Sequence, residues 1–304
     1  MKEVRRIKSI VEFHRTRGLP SPQHPLISVV EYASLQLSPE SYTVNWVSEF
    51  YNISLKRCLV SKLRYGQQQY DFDDGVMFFI APGQVYGIEP PHPEQKTRSG
   101  WMLLVHPDFL WNTSLAKNIR QYEFFDYSVN EALFLSEQEE SIIGNVVENI
   151  RLEYQRNIDK FSQNIIISQI ETLLNYSQRF YQRQFITRKV TNHKILDRLE
   201  NILTRYFNDD DLLRKGLPTV QYITKELNVS ASYLSGLLKE LTGWSTLQHI
   251  QNKIIEIAKE QLSTTDLSVS EIAYELGFEH PQSFSKMFKA KTSLSPLEFR
   301  ASFN

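Results

Sequence analysis

Apolar residues in the last third of the chain fall at helical spacing, and they do so twice. Val220, Ile223 and Leu227 share one face of a short helix that Thr219 can cap, because residues three and four apart are neighbours on a helix. Asn228-Val229-Ser230 then supplies a turn. Asn tolerates left-handed backbone, Val229 plugs the corner, and Ser230 caps the helix that follows. That helix, residues 231–242, is predicted to bury Leu234, Leu237, Leu238 and Leu241 and to leave Ser232, Ser235, Gly236 and Lys239 facing outward.

Further on, Ser268 and Glu271 have the spacing of a capping box, with Ile272, Ala273 and Leu276 on the inner face of the helix they start. Ala273 must be small for two helices to approach, Gly277 can take the positive φ that the turn needs, and Phe278 plugs a corner one residue longer than the first. A helix over residues 281–291 places Phe284, Met287 and Phe288 inward. Gln282, Ser283, Ser285, Lys286 and Lys289 are left exposed. Ser295-Pro296-Leu297-Glu298 is a second capping box with Pro at the first helical position, opening a short helix that carries Phe299 and Arg300.

The two stretches are one design repeated. Residues 233–239 align with residues 283–289 at an offset of fifty, and Ser235/Ser285, Lys239/Lys289, Thr242/Thr292, Ser245/Ser295 and Leu247/Leu297 are identical. A short amphipathic helix, a tight turn and a second helix form the unit that presents a recognition helix to the major groove, so double-stranded DNA is the predicted partner. The DNA-contact candidates are Ser232, Tyr233, Ser235, Gly236 and Lys239 in the first copy and Gln282, Ser283, Ser285, Lys286 and Lys289 in the second. Between the copies, Leu247, Ile250, Ile254, Ile257 and Ala258 predict a connecting helix over residues 246–262, roughly 25 Å long. With the lateral offset of each unit added, the recognition helices stand about 34 Å apart, one turn of DNA. A stiff connector of this kind can require the DNA to bend.

The first half has a different texture. Leu26–Val30, Tyr42–Val44, Phe50–Leu55, Val76–Ile80 and Trp101–Val105 are short apolar pieces punctuated by Pro, Gly and Asp, as in a sandwich or barrel. From Ser136, which forms a capping box with Glu139, the pattern turns helical, with a stripe of Ile142, Ile143, Val146, Val147 and Ile150. A second helix, residues 159–185, carries Ile166, Ile170, Leu173, Leu174 and Phe180 in register. This pair can pack within one chain or against a second copy.

Ser270-Glu271-Ile272-Ala273-Tyr274-Glu275-Leu276-Gly277-Phe278, together with residues 284–289, Ser295-Pro296 and Phe299-Arg300, resembles the second-unit signature of the AraC/XylS family of bacterial transcription regulators. The resemblance covers residues 193–304. It implies a DNA-binding regulator, commonly an activator that contacts RNA polymerase, with an N-terminal domain that binds a small-molecule effector or pairs two chains as a homodimer. Asp74-Gly75, a buried strand and Ala81-Pro82-Gly83-Gln84 resemble the second turn of the cupin barrels that many such sensors share. The expected fold class is therefore α+β. It comprises a cupin-like β-barrel sensor (1–135), a helical connecting and dimerisation region (136–190) and an all-α DNA-binding domain with two helix-turn-helix units (191–304). Three positions depart from the family pattern: Ser293 where Gly is common, Gly236 where a long polar side chain is common, and Lys253 where Arg is usual. Gly236 shortens the reach of the first unit, so the second is expected to carry more of the base reading.

Trp46, Phe50, Tyr51, Phe79, Tyr86 and Trp101 could line a ligand pocket in the barrel, although aromatic residues equally fill such an interior. The histidine that catalytic cupins place after the Pro-Gly turn is missing from Gln84-Val85-Tyr86-Gly87-Ile88, and the chain has no His-x-His pair. No metal or other cofactor is predicted, His24, His92 and His106 read as structural, and a cupin-type enzyme is the weaker alternative, beside a protein-binding adaptor.

Composition adds limits. The 304 residues are enough for two domains, and a net charge of -1 gives no global attraction to polyanions. The basic signal is local: Lys286, Lys289 and Lys291 lie on or beside one helix, whereas Asp209, Asp210 and Asp211 sit in a loop expected to face away from DNA. Outside the repeat, three such lysines would read as a solvated face; within it, they read as phosphate contacts. The single cysteine, Cys58, forbids an internal disulfide and suits a buried apolar role in a reducing compartment. With no signal peptide after Met1 and no apolar run of membrane-spanning length, a cytoplasmic protein with no membrane association is expected.

Overall fold

The first half has ten described strands, most of them alternating or doubly apolar segments: β1 (Val4–Ile7), β2 (Ile27–Glu31), β3 (Asn45–Ser48), β4 (Tyr51–Arg57), β5 (Arg64–Tyr65), β6 (Gln68–Gln69), β7 (Gly75–Ile80), β8 (Val85–Gly87), β9 (Ser99–Val105) and β10 (Leu133–Leu135). The computed structural model describes residues 3–57, 64–65, 68–69, 75–88, 99–127, 131–156, 159–187, 189–208 and 215–302. The sequence expectations on Cys58, Asp74, His92 and residues 209–211 lie outside these. The helices are α1 (Ile10–Thr16), α2 (Ser114–Asn118), α3 (Glu137–Gln155), α4 (Ser162–Thr187), α5 (Lys189–Phe207), α6 (Val220–Leu227), α7 (Ala231–Thr242), α8 (Thr246–Thr264), α9 (Val269–Glu275), α10 (Pro281–Thr292) and α11 (Pro296–Ala301). The chain divides into two compact units, residues 1–184 and 185–304.

In the first unit, five antiparallel strands lie in the order β10-β7-β4-β9-β2, and a separate sheet has the order β1-β3-β8, with β1 parallel to β3. Strand β9 is apolar on both faces because both are covered. Met102 and Leu104 point into a cluster with Ile7, Phe13, Val44, Trp46 and Phe50, which joins the two sheets. The fold is mixed α and β as expected, but the barrel is not closed: no ladder joins the two sheets among the described residues.

Side chains of the helices explain the open edges. Val29 of edge strand β2 donates its N–H to the Tyr154 hydroxyl of α3 at 2.9 Å. At the other edge, the Gln184 amide of α4 accepts from the Phe134 N–H at 2.9 Å and donates to the Ala132 carbonyl at 3.2 Å. These edge groups are thus satisfied without a closing strand. Tyr42–Val44 is not a strand either: Pro39–Tyr42 is a 3-10 turn with Pro at its start, and pairing begins at Asn45. In α3 the capping box at Ser136 and Glu139 forms, and Ile143, Val146, Val147 and Ile150 are buried, but Ile142 lies 37% exposed on the far side of the helix.

The second unit is all helical. One continuous apolar cluster takes Leu199, Ile202 and Leu203 from α5, Ile223 and Leu227 from α6, and Leu234 and Leu238 from α7. It continues through Ile250, Ile254, Ile255, Ala258 and Leu262 of α8 to Ile272, Ala273, Phe284 and Phe288 of α9 and α10. Each leucine, isoleucine or phenylalanine of the cluster, fully buried, contributes about 1.5–3 kcal/mol, so the two halves of the unit are stabilised together. Among the described residues, no helix is long and apolar enough to cross a membrane.

Candidate nucleic-acid interface

The duplication seen in sequence extends to individual hydrogen bonds. The supporting helices α6 and α9 start on Thr219, which accepts from the Tyr222 N–H, and on the Ser268–Glu271 capping box. Each ends at a left-handed residue, Asn228 at φ 57° and Gly277 at φ 85°. The next N–H then reaches back five residues, Val229 to Thr224 and Phe278 to Ala273, both at 3.0 Å. That backward bond is the Schellman closure, which stops a helix and turns the chain. Recognition helices α7 and α10 end alike. Gly243 (φ 77°) donates to the Lys239 carbonyl and Ser293 (φ 64°) to the Lys289 carbonyl, each at 2.9 Å. The Thr242 and Thr292 hydroxyls donate to the Leu238 and Phe288 carbonyls, both at 2.8 Å. Capping boxes on Ser245 with Gln248 and on Ser295 with Glu298 then open the following helices. At Ser293, where glycine is the easier residue, the backbone keeps the left-handed form.

The connector α8 is longer than its apolar spacing predicts. Its 19 residues give a rod of about 28 Å. Ile250, Ile254 and Ala258 are buried as expected, Ile257 is half-buried, Ile255 joins the core, and Leu247 is 52% exposed, on the outer face of a first turn whose Thr246 is buried. Lys253 pairs with Glu256 at 3.1 Å. Arg300 of α11 fastens the far end, donating from Nε to the Leu262 carbonyl at 3.2 Å and from Nη2 to the Leu267 carbonyl at 2.6 Å. The guanidinium thus satisfies carbonyls at and beyond the C-terminal end of α8.

Most predicted contact residues reach the surface. Lys239, Gln282, Ser283, Lys286 and Lys289 are exposed, and Ser232, Ser235, Gly236 and Ser285 are half-buried. Tyr233 is the exception. It is 8% exposed, with its ring edge-on to Phe185 at 5.3 Å between centroids, so packing replaces the reach toward bases. Leu241 is half-buried instead of buried. Lys291 donates to Asn252 of α8 at 3.4 Å, which ties it to the connector. Lys289 stands near Glu298, whose carboxyl is held below the usual glutamate range by its hydrogen bonds to the Ser295 backbone and side chain, with the Lys289 charge a smaller contribution. The sequence reading does not include α5, whose polar stretches hide its contribution to the core.

The first unit contains a cavity of about 100 Å³. Of the six aromatic candidates, Phe79 and Tyr86 line it. The other four do not: Trp46 and Phe50 fill the inter-sheet cluster, Tyr51 sits edge-on to Phe125, and Trp101 is buried in β9 opposite Leu55. Lining residues absent from the sequence reading include Arg17, Asn52, Met102, Phe124 and Tyr181, brought together from five separate segments. His24 is edge-on to Phe109 and is held below its usual pKa by burial. Among the described residues, no group of three His, Cys, Asp or Glu side chains could hold a metal ion.

A family model described as a helix-turn-helix domain matches residues 223–302. The chain is 32% identical over 144 residues to YfiF, an uncharacterized HTH-type transcriptional regulator of Bacillus subtilis, an alignment covering 47% of this chain and 42% of that one. It is 35% identical over 79 residues to the arabinose operon regulatory protein of Escherichia coli, covering 26% and 27% of the two chains. The chain therefore spans less than half the length of these curated relatives. Among solved structures, the C-terminal domain of AraT, a response regulator from Geobacillus stearothermophilus, is 30% identical with a TM-score of 0.31, covering 36% of this chain and 84% of that one.

Proposed function

We propose that this chain, whose C-terminal domain belongs to the AraC/XylS family of helix-turn-helix regulators, is a sequence-specific transcription regulator that reads two successive major grooves with α7 and α10. The family and the relatives indicate a regulator in place of an enzyme. The observation that carries the reading is the pair of recognition helices with matching caps and turns, built on one apolar cluster and joined by α8. In this reading Gln282 and Ser283, exposed in the first turn of α10, meet base edges, whereas Lys286 and Lys289 neutralise phosphates. Ser232, Ser235 and Lys239 do the equivalent work on α7, with Gly236 limiting its reach.

The N-terminal unit is the sensor. Its cavity is the proposed effector site, and helices α3 and α4 are the proposed surface for pairing two chains. Activation through RNA polymerase is the regulatory outcome that the family favours. Gel retardation with fragments upstream of the gene's own neighbourhood tests the reading. Specific retardation at moderate salt is expected, and its absence across promoter fragments of the whole genome, with and without metabolite extracts, refutes it.

A further inference from the structure

The cavity of the N-terminal unit is lined by a buried arginine that no carboxylate among the described residues pairs with. Arg17, which ends α1, is only 1% exposed. One of its terminal nitrogens donates to the Ser41 hydroxyl at 3.3 Å, and the guanidinium lies 4.1 Å from the Trp46 ring centre. Its other terminal nitrogen, Nη2, makes no hydrogen bond of ordinary geometry, and the nearby Tyr86 hydroxyl offsets only part of the cost of its burial. Among the described residues, no carboxylate pairs with it, and burial pulls its pKa below the ordinary arginine value. Lys56 and Glu131 are the other charged side chains that line the cavity among the described residues.

A second polar group is open on the same cavity. Asn52, 5% exposed, has as its recorded partner the Met102 sulfur at 3.8 Å, and its Oδ1 is unpartnered. Buried polar groups are almost always satisfied, and an isolated buried charge is more costly still. An open donor on Arg17 and an open acceptor on Asn52, with Phe79, Met102 and Phe124 as apolar wall, are the complement of a molecule with an anionic head and a short hydrocarbon body that can carry a hydroxyl donor. A guanidinium fork matches a planar carboxylate, with two parallel donors for two oxygens. The volume, about 100 Å³, is below the roughly 150 Å³ that admits benzene, which restricts the body to a short chain.

We propose that the N-terminal unit binds a short-chain organic carboxylate, with Arg17 donating to the carboxylate and the Asn52 Oδ1 open to accept from a hydroxyl donor on the same ligand. This deepens the regulator reading by assigning a chemical class to the effector, and it rests on that reading only for the effect on transcription.

The test is calorimetric titration and thermal unfolding of the full chain with butyrate, against butyramide, chloride and phosphate. Saturable one-site binding of butyrate is expected, with butyramide weaker by at least about tenfold, since a hydrogen bond to a charged group is lost. Arg17→Met should abolish the response without lowering the Tm of the unliganded chain, because an unanswered buried charge has been removed. A purely structural arginine would lower that Tm, which overturns the proposal. Ala132→Leu fills the cavity without touching Arg17 and should also remove binding, so full binding in that variant is equally contrary, even if Arg17→Met fails to fold. Equal responses to butyrate and butyramide, or to butyrate and chloride or phosphate, overturn the carboxylate assignment. Promoter retardation without carboxylate binding removes this inference and leaves the regulator reading intact, whereas carboxylate binding without retardation does the reverse.

Discussion

Gly277, the left-handed residue of the second helix-turn-helix turn, rests on the backbone of Gly216: a Cβ at Gly277 would lie 2.9 Å from the Gly216 carbonyl carbon. The Gly216 carbonyl is in turn held by the Tyr206 hydroxyl of α5 at 3.0 Å. A chain thus runs from α5, ahead of the first unit, to the corner of the second. Gly277→Ala should destabilise the domain by at least about 2 kcal/mol, since it combines left-handed strain with a backbone clash. Urea unfolding of the full chain, read by a reporter in the C-terminal unit, checks this, and an unchanged midpoint would show that the contact is not held in solution.

Ser293 offers the opposite sign. It takes φ 64° with its side chain exposed, and the equivalent residue of the first unit is Gly243. Ser293→Gly should stabilise α10 by about 0.5–1 kcal/mol, because a left-handed conformation costs glycine little. The same unfolding experiment reads it as a raised midpoint.

Arg300→Lys should loosen α11 from the connector. The fork satisfies two carbonyls, Leu262 and Leu267, and a lysine cannot reproduce that geometry. A loss of about 1 kcal/mol follows, detected as faster amide exchange in α11 and in the last turn of α8.

On the recognition helices, Lys289→Ala should weaken binding to all DNA sequences and lower the slope of log affinity against log salt by about one. Gln282→Ala should instead change sequence preference, at about 1–3 kcal/mol per specific contact. Tyr233→Ala should act on stability first, because Tyr233 packs on Phe185 inside the unit. Salt titrations and selection from random DNA separate these three behaviours, and identical profiles for Lys289→Ala and Gln282→Ala would remove the division of labour.

Acid should weaken the first recognition unit. Burial lowers the pKa of His249, against a smaller opposing effect of Glu200, and its Nε2 meets the Thr242 hydroxyl at 2.8 Å. With the folded pKa below the unfolded one, the unfolded chain binds more protons as pH falls past the ordinary histidine value near 6.5. Stability is therefore present above that value and is lost as pH falls toward the folded pKa. His249→Gln should flatten this dependence between about pH 7 and 5.5. Unfolding midpoints across that range test it, with the expected remainder coming from His24, which burial shifts the same way.

What was legible in sequence was local. Thr219, Asn228, Ser230, Ser268, Gly277 and Ser295 each act on backbone within five residues, so side-chain type and spacing suffice to place the caps and turns. The helix periodicity of α6 to α11 is similarly short-ranged. Long-range partners were not legible: nothing near Tyr233 announces that Phe185 will cover it, and nothing near β10 announces that Gln184 will satisfy its edge. That Trp46 and Phe50 pack between the sheets and do not line the cavity is not legible for the same reason, since an aromatic residue in a strand looks identical whether it faces a cavity or the opposite sheet. Arg17 is not legible either, because a single arginine in a basic N-terminal stretch reads as solvated until its burial is known.

The most direct test of two reading heads on one apolar core is guanine methylation interference with the full chain on a promoter fragment that it retards. Two patches in successive major grooves, about 10 base pairs apart on one face of the duplex, are predicted, and disrupting α10 with Ala273→Leu should remove one of them together with most of the affinity. A single patch in the native protein, unaltered by Ala273→Leu, would contradict the account.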